Sequence, residues 1–269
     1  MTGADRAAPI GVFDSGLGGL TVAHAIMRSL PGESLVYFGD TARVPYGPKS
    51  PETVRRYSHE IAGFLLDQGV KAIVVACNTA TAHALHALQQ SLSIPVIGVV
   101  GPGARAAVRA TRSGRIGVIG TDGTIKSGAY VRAIHAESPT ATVTALPCPL
   151  FVPLVEEGWT DHDATRLVAR EYLAPFMRNE VDTLVLGCTH YPLLKPLIAD
   201  IVGPNVRLID SAAETAADTA RLLAEHELAT SDTDGRYRFI ASDDPQQFLA
   251  LGQRFFGDTI ERVEIKTFG

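Results

Sequence analysis

The sequence lacks any apolar run long enough to cross a membrane. Its apolar runs, such as Ile73–Ala76 and Thr183–Leu186, are far below the roughly 20 residues that span a bilayer and are typical of buried strands. The segment Met1–Pro9, which carries Asp5 and Arg6, contains no apolar stretch, so we expect no secretory signal and a cytoplasmic protein. In that compartment the 3 cysteines are expected to stay reduced.

An excess of positive charge is also missing. The formal net charge of −5 predicts no electrostatic attraction to nucleic acid or to an anionic membrane. A composition with 46% hydrophobic and 20% charged residues is typical of a folded globular protein rather than a disordered one. A length of 269 residues allows one large α/β domain or two smaller ones.

What the sequence does contain is an alternation of strand-like and helical stretches. Ile10–Phe13 is followed by a glycine-rich turn and the amphipathic stretch Thr21–Leu30. Ser50-Pro51-Glu52 has the polar N-cap, the proline and the acid that are typical of a helix start. Ser211-Ala212-Ala213-Glu214 has the spacing of a capping box before a helix that runs through Leu228. The alternation predicts parallel sheets with helices on both faces.

Two segments of the first part of the chain return in the second part. Ile10-Gly11-Val12 is matched by Ile116-Gly117-Val118, and the strand that ends at Cys77 is matched by the strand that ends at Cys188. Short matches between parallel strands also arise by coincidence. The interpretation that we favour is two similar α/β halves. Ligands of open parallel sheets bind beyond the carboxyl ends of the strands, so facing halves would bring both cysteines to one cleft.

Two cysteines on opposite sides of a substrate are suited to invert a carbon centre beside a carboxylate. A thiolate removes the proton from one face and a thiol returns a proton to the other, with the roles exchanged in the reverse direction. The ordinary pKa of cysteine, about 8.5, is lowered at a helix N-terminus. Cys77 and Cys188 each lie between an apolar strand and an expected helix start. The sequence therefore predicts a pair of proton-transfer thiols.

Other roles exist for these side chains. A disulfide between Cys77 and Cys188 is not expected, because a reducing compartment keeps thiols reduced. Zinc needs about four ligands, whereas only Cys188 and His190 are neighbours in the sequence. Cys148, which lies between two prolines, is expected to be a buried and inert cysteine. The remaining candidates are expected to be ordinary helix, core or surface residues: His83, His86 and Trp159.

Polar residues near the two cysteines are candidates to orient a substrate or to assist proton transfer. Asp14 and Asp40 follow the first two strand-like runs, where each is either a carboxylate that holds a substrate ammonium or a cap of a local turn. His190 is an acid–base group two positions after Cys188. The candidate donors to substrate carboxylates are Tyr46, Gly47, Asn78, Thr79 and Thr189.

A nucleotide-binding module is the rival function from another class. Gly16-Leu17-Gly18-Gly19, with Asp40 about 20 residues later, superficially resembles a dinucleotide site. The spacing differs from Gly-x-Gly-x-x-Gly, however, and Asp14 at the turn would repel a pyrophosphate. No P-loop lysine motif is present in the sequence. The nearer rival is a two-cysteine racemase that acts on aspartate or another amino acid.

Several motifs, in conserved order and spacing, resemble the glutamate racemases of bacterial cell-wall synthesis over roughly residues 10 to 215. They are Phe13–Thr21, Tyr37–Gly47, Ala76–Thr81, Ile116–Thr121, Thr124–Ser127, Gly187–Leu194 and Ile209–Ala212. The resemblance implies a racemase that needs neither a cofactor nor a metal, interconverts L- and D-glutamate with two cysteines, and supplies D-glutamate for peptidoglycan. Homodimers are common in that family.

The resemblance also implies an α/β fold of two pseudo-symmetric domains, each a parallel sheet flanked by helices, with the active site at their interface. The first domain would comprise residues 1–99 plus 210–269, on the Cys77 side, and the second would comprise residues 100–209, on the Cys188 side. Asp14 and His190 would assist the two cysteines. The substrate would be held by Asp14, Ser15, Tyr46, Gly47, Asn78, Thr79, Thr124, Thr189 and His190.

Two positions refine this resemblance. His190 looks like the glutamate-specific form, because related aspartate racemases usually carry an acidic residue there. Gly101 departs from the pattern, because many members carry an acidic residue at that position. This departure would alter the crossover between the domains or its flexibility, and it does not touch a residue with a predicted chemical role.

Overall fold

The structure is a computed structural model that describes residues 5–257 and 260–268. Its strands are β1 (Ile10–Asp14), β2 (Leu35–Gly39), β3 (Ala72–Val75), β4 (Val96–Gly98), β5 (Arg115–Gly120), β6 (Thr142–Pro147), β7 (Thr183–Gly187), β8 (Arg207–Ile209), β9 (Tyr237–Ala241) and β10 (Val263–Ile265). Its α-helices are α1 (Leu20–Ser29), α2 (Pro51–Asp67), α3 (Asn78–Ser91), α4 (Val100–Ala110), α5 (Asp122–Lys126), α6 (Ala129–Glu137), α7 (Phe151–Glu156), α8 (Asp163–Arg178), α9 (Lys195–Val202), α10 (Ala212–Glu225) and α11 (Pro245–Phe256). Two short 3₁₀ helices span Thr41–Arg43 and Tyr191–Leu194.

The described strands form two sheets, and every strand pair in them is parallel. The first sheet has the order β10-β9-β2-β1-β3-β4, and the second has the order β6-β5-β7-β8. The first sheet takes its strands from both ends of the described chain, and the second takes its strands from the middle. The predicted α/β class with two parallel sheets flanked by helices is confirmed. The domain bounds 1–99 plus 210–269 and 100–209 stay a prediction.

Each sheet is covered by helices on both faces. Successive side chains of a strand point to opposite faces, so Val12 of β1 packs in the cluster with α1 and α10, whereas Phe13 packs in the cluster with α2 and α3. In the second sheet, Val185 of β7 faces α4 and α6, and Leu186 faces α7, α8 and α9. Burial on both faces explains why these strands are apolar throughout rather than alternating.

The two predicted helix starts have different outcomes. Ser50 caps α2 as predicted, because its extended backbone lets the side chain accept a hydrogen bond from the Thr53 N–H at 3.2 Å. The predicted capping box at Ser211 is wrong. Ser211 already has helical angles (φ −84°, ψ −4°), so its side chain makes no cap bond and only its carbonyl accepts from Thr215. Glu214 pairs with Arg109 instead, and α10 ends at Glu225.

Helices α4 and α10 pack against each other where the chain passes between the two sheets. Arg105 and Arg109 of α4 form ion pairs with Asp218 and Glu214 of α10. Gly101 lies in the first turn of α4, and a Cβ placed there would lie 3.5 Å from Arg105 Nη1, an ordinary contact distance. The glycine is therefore not required by a close approach at this position.

Candidate active site

A small cavity lies beyond the carboxyl ends of the two sheets, and both predicted cysteines line it. Its volume is about 20 Å³, which is enough for about one water molecule. Cys77 and Cys188 are free thiols, 5% and 6% exposed. Their sulfurs therefore face one cavity without being bonded to each other. The residues that line it are Ser15, Val44, Pro45, Tyr46, Gly47, Cys77, Asn78, Thr79, Thr121, Val152, Cys188, Thr189 and His190.

Cys77 occupies the N-cap of α3, two positions after the end of β3. Its sulfur accepts a hydrogen bond from the Ala80 N–H at 3.4 Å and lies 3.8 Å from Ser15 Oγ. Burial and the nearby charge of Asp14 nevertheless raise the pKa of the Cys77 thiol to about 12. The expected lowering of this pKa is therefore wrong for the ligand-free chain, because desolvation outweighs the helix N-terminus. Cys77 is a thiol at neutral pH.

Cys188 follows β7, but no α-helix begins directly after it. The Tyr191 N–H donates to the Cys188 carbonyl at 3.1 Å in a 3₁₀ turn, and α9 begins at Lys195. The expected helix start at this cysteine is therefore wrong. The side chain of Tyr191 fixes the turn, because it is buried in the core and its hydroxyl donates to the Cys148 carbonyl at 2.8 Å.

His190 connects Cys188 to an acidic residue of α7. Its Nδ1 lies 3.9 Å from the Cys188 sulfur, and its Nε2 donates to Glu156 Oε1 at 3.1 Å. Burial alone would lower the pKa of His190, but the hydrogen bonds to Cys188 and Glu156 together outweigh burial and raise it to about 10. The imidazole is therefore held in its protonated form at neutral pH, next to the sulfur of Cys188.

Asp14, the last residue of β1, lies fully buried behind the cavity. One carboxylate oxygen accepts from the Gly16 N–H at 3.1 Å, and the other accepts from the Thr189 hydroxyl at 3.4 Å. Burial raises the pKa of Asp14, although the charge of His190 and the nearby backbone N–H groups act in the opposite direction. This carboxylate joins the turn after β1 to the turn after β7.

Asp40 supports the tyrosine at the cavity wall. Its carboxylate accepts hydrogen bonds from the Tyr46 hydroxyl, from Arg43 Nε and from the Ser242 hydroxyl. Burial and the charge of Asp40 raise the pKa of Tyr46 far above its ordinary value, so this hydroxyl stays protonated and donates. Asp40 does not line the cavity itself.

Asn78 and Thr79, the first residues of α3, meet side chains of the second half of the chain. The Asn78 side-chain oxygen accepts from the Tyr130 hydroxyl at 2.7 Å, whereas its Nδ2 is buried without a hydrogen-bond partner. Thr79 Oγ1 lies 2.9 Å from Thr121 Oγ1 and 3.2 Å from Thr124 Oγ1. An unpaired buried donor is unfavourable, so the Asn78 amide is a natural partner for a bound carboxylate.

Two glycines allow close approaches at the turn after β1, Gly18 to the second half of the chain and Gly19 to its own half. A Cβ at Gly18 would lie 2.5 Å from Thr189 Oγ1 and 2.7 Å from His190 Nδ1. A Cβ at Gly19 would lie 2.5 Å from the Asp14 Cβ. Any larger residue would push these groups apart, so the glycine-rich turn serves close contact rather than phosphate binding.

The structure brings most of the predicted site residues to the cavity wall. Those that line it are Ser15, Tyr46, Gly47, Cys77, Asn78, Thr79, Cys188, Thr189 and His190. Asp14, Asp40 and Thr124 lie one layer behind, each hydrogen-bonded to a lining residue.

Sequence reasoning missed six contributors: Val44, Pro45, Thr121, Tyr130, Val152 and Glu156. Thr121 had a detectable signal, because it follows Ile116-Gly117-Val118 at the same distance at which Ser15 follows Ile10-Gly11-Val12. Tyr130 and Glu156 lie on helices α6 and α7 far from either cysteine in the sequence, and no local pattern marks them.

A search of the described residues finds no cluster of three or more His, Cys, Asp or Glu side chains arranged to hold a metal ion. Across residues 5–257 and 260–268, no helix combines the length and apolar character that a membrane span requires.

Comparison with known proteins agrees with this geometry. Residues 10–219 match the family model described as Asp/Glu/Hydantoin racemase. A glutamate racemase of Geobacter metallireducens is 57% identical over 94% of each chain. The structure of a glutamate racemase isoform from Bacillus anthracis superimposes with a TM-score of 0.93 at 42% identity over 98% of each chain. That of the Francisella tularensis glutamate racemase in complex with D-glutamate gives a TM-score of 0.91 at 41% identity, over 97% of this chain and 98% of that one.

The strand order, the facing cysteines and these full-length similarities lead to one assignment. The chain belongs to the Asp/Glu/Hydantoin racemase family, within its group of glutamate racemases.

Proposed function

We propose that this protein interconverts L- and D-glutamate without a cofactor and supplies D-glutamate for peptidoglycan synthesis. The observation that carries the proposal is the shared cavity of Cys77 and Cys188, because each sulfur comes from the end of a strand in a different sheet. The similarity to glutamate racemases over nearly the whole chain supports glutamate as the substrate.

In this proposal a glutamate α-carbon lies between the two sulfurs. One cysteine, as thiolate, accepts the α-proton from one face, and the other, as thiol, donates a proton to the opposite face. The electron pair of the broken C–H bond stays on the α-carbon as a carbanion and then forms the new C–H bond. The two cysteines exchange protonation states in each turnover, and the reverse reaction restores them.

Neighbouring groups adjust the proton affinity of each sulfur. Cys77 is a thiol in the ligand-free chain, and Asp14 is the carboxylate whose charge acts on it. We propose that Asp14 accepts the Cys77 proton when this cysteine acts as base. His190, held by Glu156, acts differently on Cys188: it is already protonated, and its positive charge stabilises the thiolate form beside it.

The groups that we propose to hold glutamate surround the sulfurs. The unpaired Asn78 amide and the backbone amides of Tyr46 and Gly47 are suited to its carboxylates. Ser15 and Thr189 are further donors at the wall. Asp40 acts through Tyr46 in this scheme, and Thr124 acts through Thr79.

The test is racemisation of each pure enantiomer, followed by circular dichroism without added cofactor. We expect L-glutamate and D-glutamate to converge on the same mixture. Activity on aspartate with none on glutamate would show that glutamate is not the substrate. Saturable binding of NAD or ATP without racemisation would favour the nucleotide-binding alternative. In deuterated water, early product should carry solvent deuterium while the remaining substrate stays unlabelled. Equal labelling of both pools would contradict a two-base reaction.

We also propose a cytoplasmic homodimer whose domains comprise residues 1–99 plus 210–269 and residues 100–209. The exposed apolar side chains of the second half, Leu150, Trp159, Leu167 and Met177, are of the kind that a subunit contact covers. Light scattering on the purified chain tests the assembly, and a mass of one chain at micromolar concentration would contradict it.

A further inference from the structure

A second, larger pocket adjoins the cysteine cavity. Its volume is about 490 Å³. It shares Gly47 with the cavity, and Asp122 and Gly123 at its edge directly follow Thr121 of the cavity wall. The pocket, here called the vestibule, is lined by Gly47, Pro48, Lys49, Pro51, His83, Asp122, Gly123, Lys126 and Ser127.

A thin partition separates the vestibule from the cavity. The Gly123 N–H donates to the Gly47 carbonyl at 2.9 Å, and His83 Nε2 donates to the Gly123 carbonyl at 3.1 Å. Burial lowers the pKa of His83, so its ring is neutral and carries its proton on Nε2. On the cavity side, Thr79 and Thr121 are joined at 2.9 Å. Every one of these bonds joins an element of the first sheet's half to an element of the second sheet's half.

The cavity is too small for an amino acid, so a wall must part to admit one. About 20 Å³ holds about one water molecule, and glutamate is many times larger. With the Thr79–Thr124 bond at 3.2 Å, four hydrogen bonds cross the partition, and each such bond contributes only about 0.5–1.5 kcal/mol net. A Cβ at Gly47 would lie 2.7 Å from the Thr121 Cβ, so the partition leaves no gap while it is closed.

The charges of the vestibule suit an anion. Lys126 is paired with Asp122 at 3.1 Å. Lys49 is half-buried at the vestibule wall, and it takes part in none of the ion pairs found among the described residues. The chain as a whole has a formal net charge of −5 and repels anions. A local cation beside the cavity therefore raises the local concentration of an anionic ligand.

We propose that the vestibule is the first binding site of an incoming amino dicarboxylate, with one carboxylate on the Lys49 ammonium, and that the ligand passes from there through the partition to the cysteines. The identity of the ligand rests on the proposed racemase function. The route itself does not, because any small anion that reaches the cysteines would use it.

The experiment treats the full chain with two alkylating reagents that differ in charge and compares their reaction rates. Iodoacetate is an anion and iodoacetamide is neutral, and each forms an S–C bond with a cysteine thiolate while iodide leaves. Peptide mass spectrometry gives the rates at Cys77 and Cys188. For Lys49→Gln, we expect the ratio of the iodoacetate rate to the iodoacetamide rate to fall about fivefold. This is the effect of losing the attraction between two unit charges roughly 4 Å apart in water.

Arg170→Gln is the matched control, because it removes one positive charge from an exposed position of α8 outside the vestibule. Its ratio should equal that of the wild type. An unchanged ratio in Lys49→Gln, an equal fall in both variants, or resistance of both cysteines to both reagents would each overturn the proposal. Racemase assays on the same proteins test the function separately. If glutamate is the ligand, Lys49→Gln should raise KM several-fold while kcat stays unchanged.

Discussion

At the scale of single residues, each cysteine has neighbours from its own half of the chain, and one hydrogen bond links the two sets. Cys77 has Ser15 and Asp14 beside it, and Asp14 in turn accepts a hydrogen bond from Thr189 after β7. Cys188 has His190 and, through it, Glu156 of α7. The bond between Thr189 and Asp14 therefore joins the surroundings of the two sulfurs across the two sheets.

The first prediction concerns the two sulfurs. Cys77→Ser and Cys188→Ser should each lower the racemisation rate by at least about 100-fold, because a hydroxyl is a much weaker acid than a thiol and a poor proton-transfer group at neutral pH. Initial rates with both enantiomers measure the effect. Cys148→Ala is the control, since Cys148 is buried in the second core and does not line the cavity, and it should keep near-normal kcat. A serine variant with wild-type rates would remove that cysteine from the mechanism.

The second prediction concerns the charge of His190. Its pKa in the folded chain, about 10, lies above the ordinary value of 6.5. Between these values the folded state binds a proton that the unfolded state has released, so the free energy of unfolding falls as the pH rises through this window. The slope approaches about 1.4 kcal/mol per pH unit for one proton.

Glu156→Gln should narrow this pH window and so reduce the total loss of unfolding free energy, because it removes a negative charge that helps to keep the imidazole protonated. Urea unfolding between pH 6.5 and pH 10 measures both proteins across the window that this pKa sets. The rise in the Cys77 pKa is common to both and also destabilises the folded state above pH 9. Parallel curves for wild type and variant would show that Glu156 does not set the protonation of His190.

Site residues could be predicted from the sequence where a short motif contains them. Cys77, Asn78 and Thr79 form one such motif, and Cys188, Thr189 and His190 form the other. Glu156 could not be found this way, because it reaches the site through a hydrogen bond to His190, which lies 34 positions further along the chain. The raised pKa of Cys77 was also out of reach, since it follows from burial rather than from neighbours in the sequence.

At the scale of elements, local rules succeeded where the backbone conformation agreed with them. Ser50 has the extended backbone conformation that an N-cap needs. Ser211 has helical backbone angles instead, and the residue pattern around it does not reveal this. The strands β1, β3 and β7 were detectable because they are buried on both faces and consist mostly of apolar residues. Elements were therefore predictable, and their ends depended on tertiary contacts.

The third prediction concerns helix α2. Gly63 lies in its interior, and apart from its chain neighbours and the backbone of its own helix, no atom of the described residues lies within 4 Å of a Cβ placed there. Gly63→Ala should stabilise the folded state by about 0.5–1 kcal/mol, because alanine loses less backbone entropy on folding. Chemical denaturation measures the change. Gly69, just after the helix, has φ +74°, so Gly69→Ala should destabilise the protein, and equal effects of the two substitutions would contradict the argument.

At the scale of the whole molecule, the buried ion pair between Lys71 and Glu33 connects segments that are distant in the sequence to the first sheet. Lys71 Nζ lies 2.5 Å from Glu33 Oε2 and donates to the Arg6 carbonyl at 2.6 Å. Glu33 accepts from the Thr230 N–H at 2.9 Å. Both charged side chains are almost fully buried, with 2% and 6% exposed. The pair connects the N-terminal segment, the loop before β2, the start of β3 and the loop before β9.

The fourth prediction follows from this pair. Lys71→Met should lower the free energy of unfolding by about 3–5 kcal/mol, because it leaves the Glu33 charge buried without a counterion. Adding Glu33→Leu should recover part of that loss, so the double variant is more stable than the sum of the single ones predicts. Denaturation of the four proteins in the cycle measures the coupling. Arg55→Met, which breaks an exposed pair with Glu52, serves as the control and should change little.

The order of strands could not be predicted from the sequence pattern. Parallel strands look alike, and nothing local in Tyr237–Ala241 shows that this strand pairs with β2 about two hundred residues earlier. The assignment of the last part of the chain to the first domain came from family resemblance alone. The repeated cysteine segments indicated two halves, because the repeat follows from the similar layout of the two sheets.

The strand order has a consequence for biosynthesis. Translation delivers β1 to β4 first, then all strands of the second sheet, and only at the end β9 and β10, which complete the edge of the first sheet. On the ribosome the middle of the nascent chain can finish folding while the earlier part still exposes the flank of β2. That unpaired flank is a template for misassembly with another nascent copy. The late strand β9 covers this flank by pairing with β2, and it thereby protects the product from aggregation.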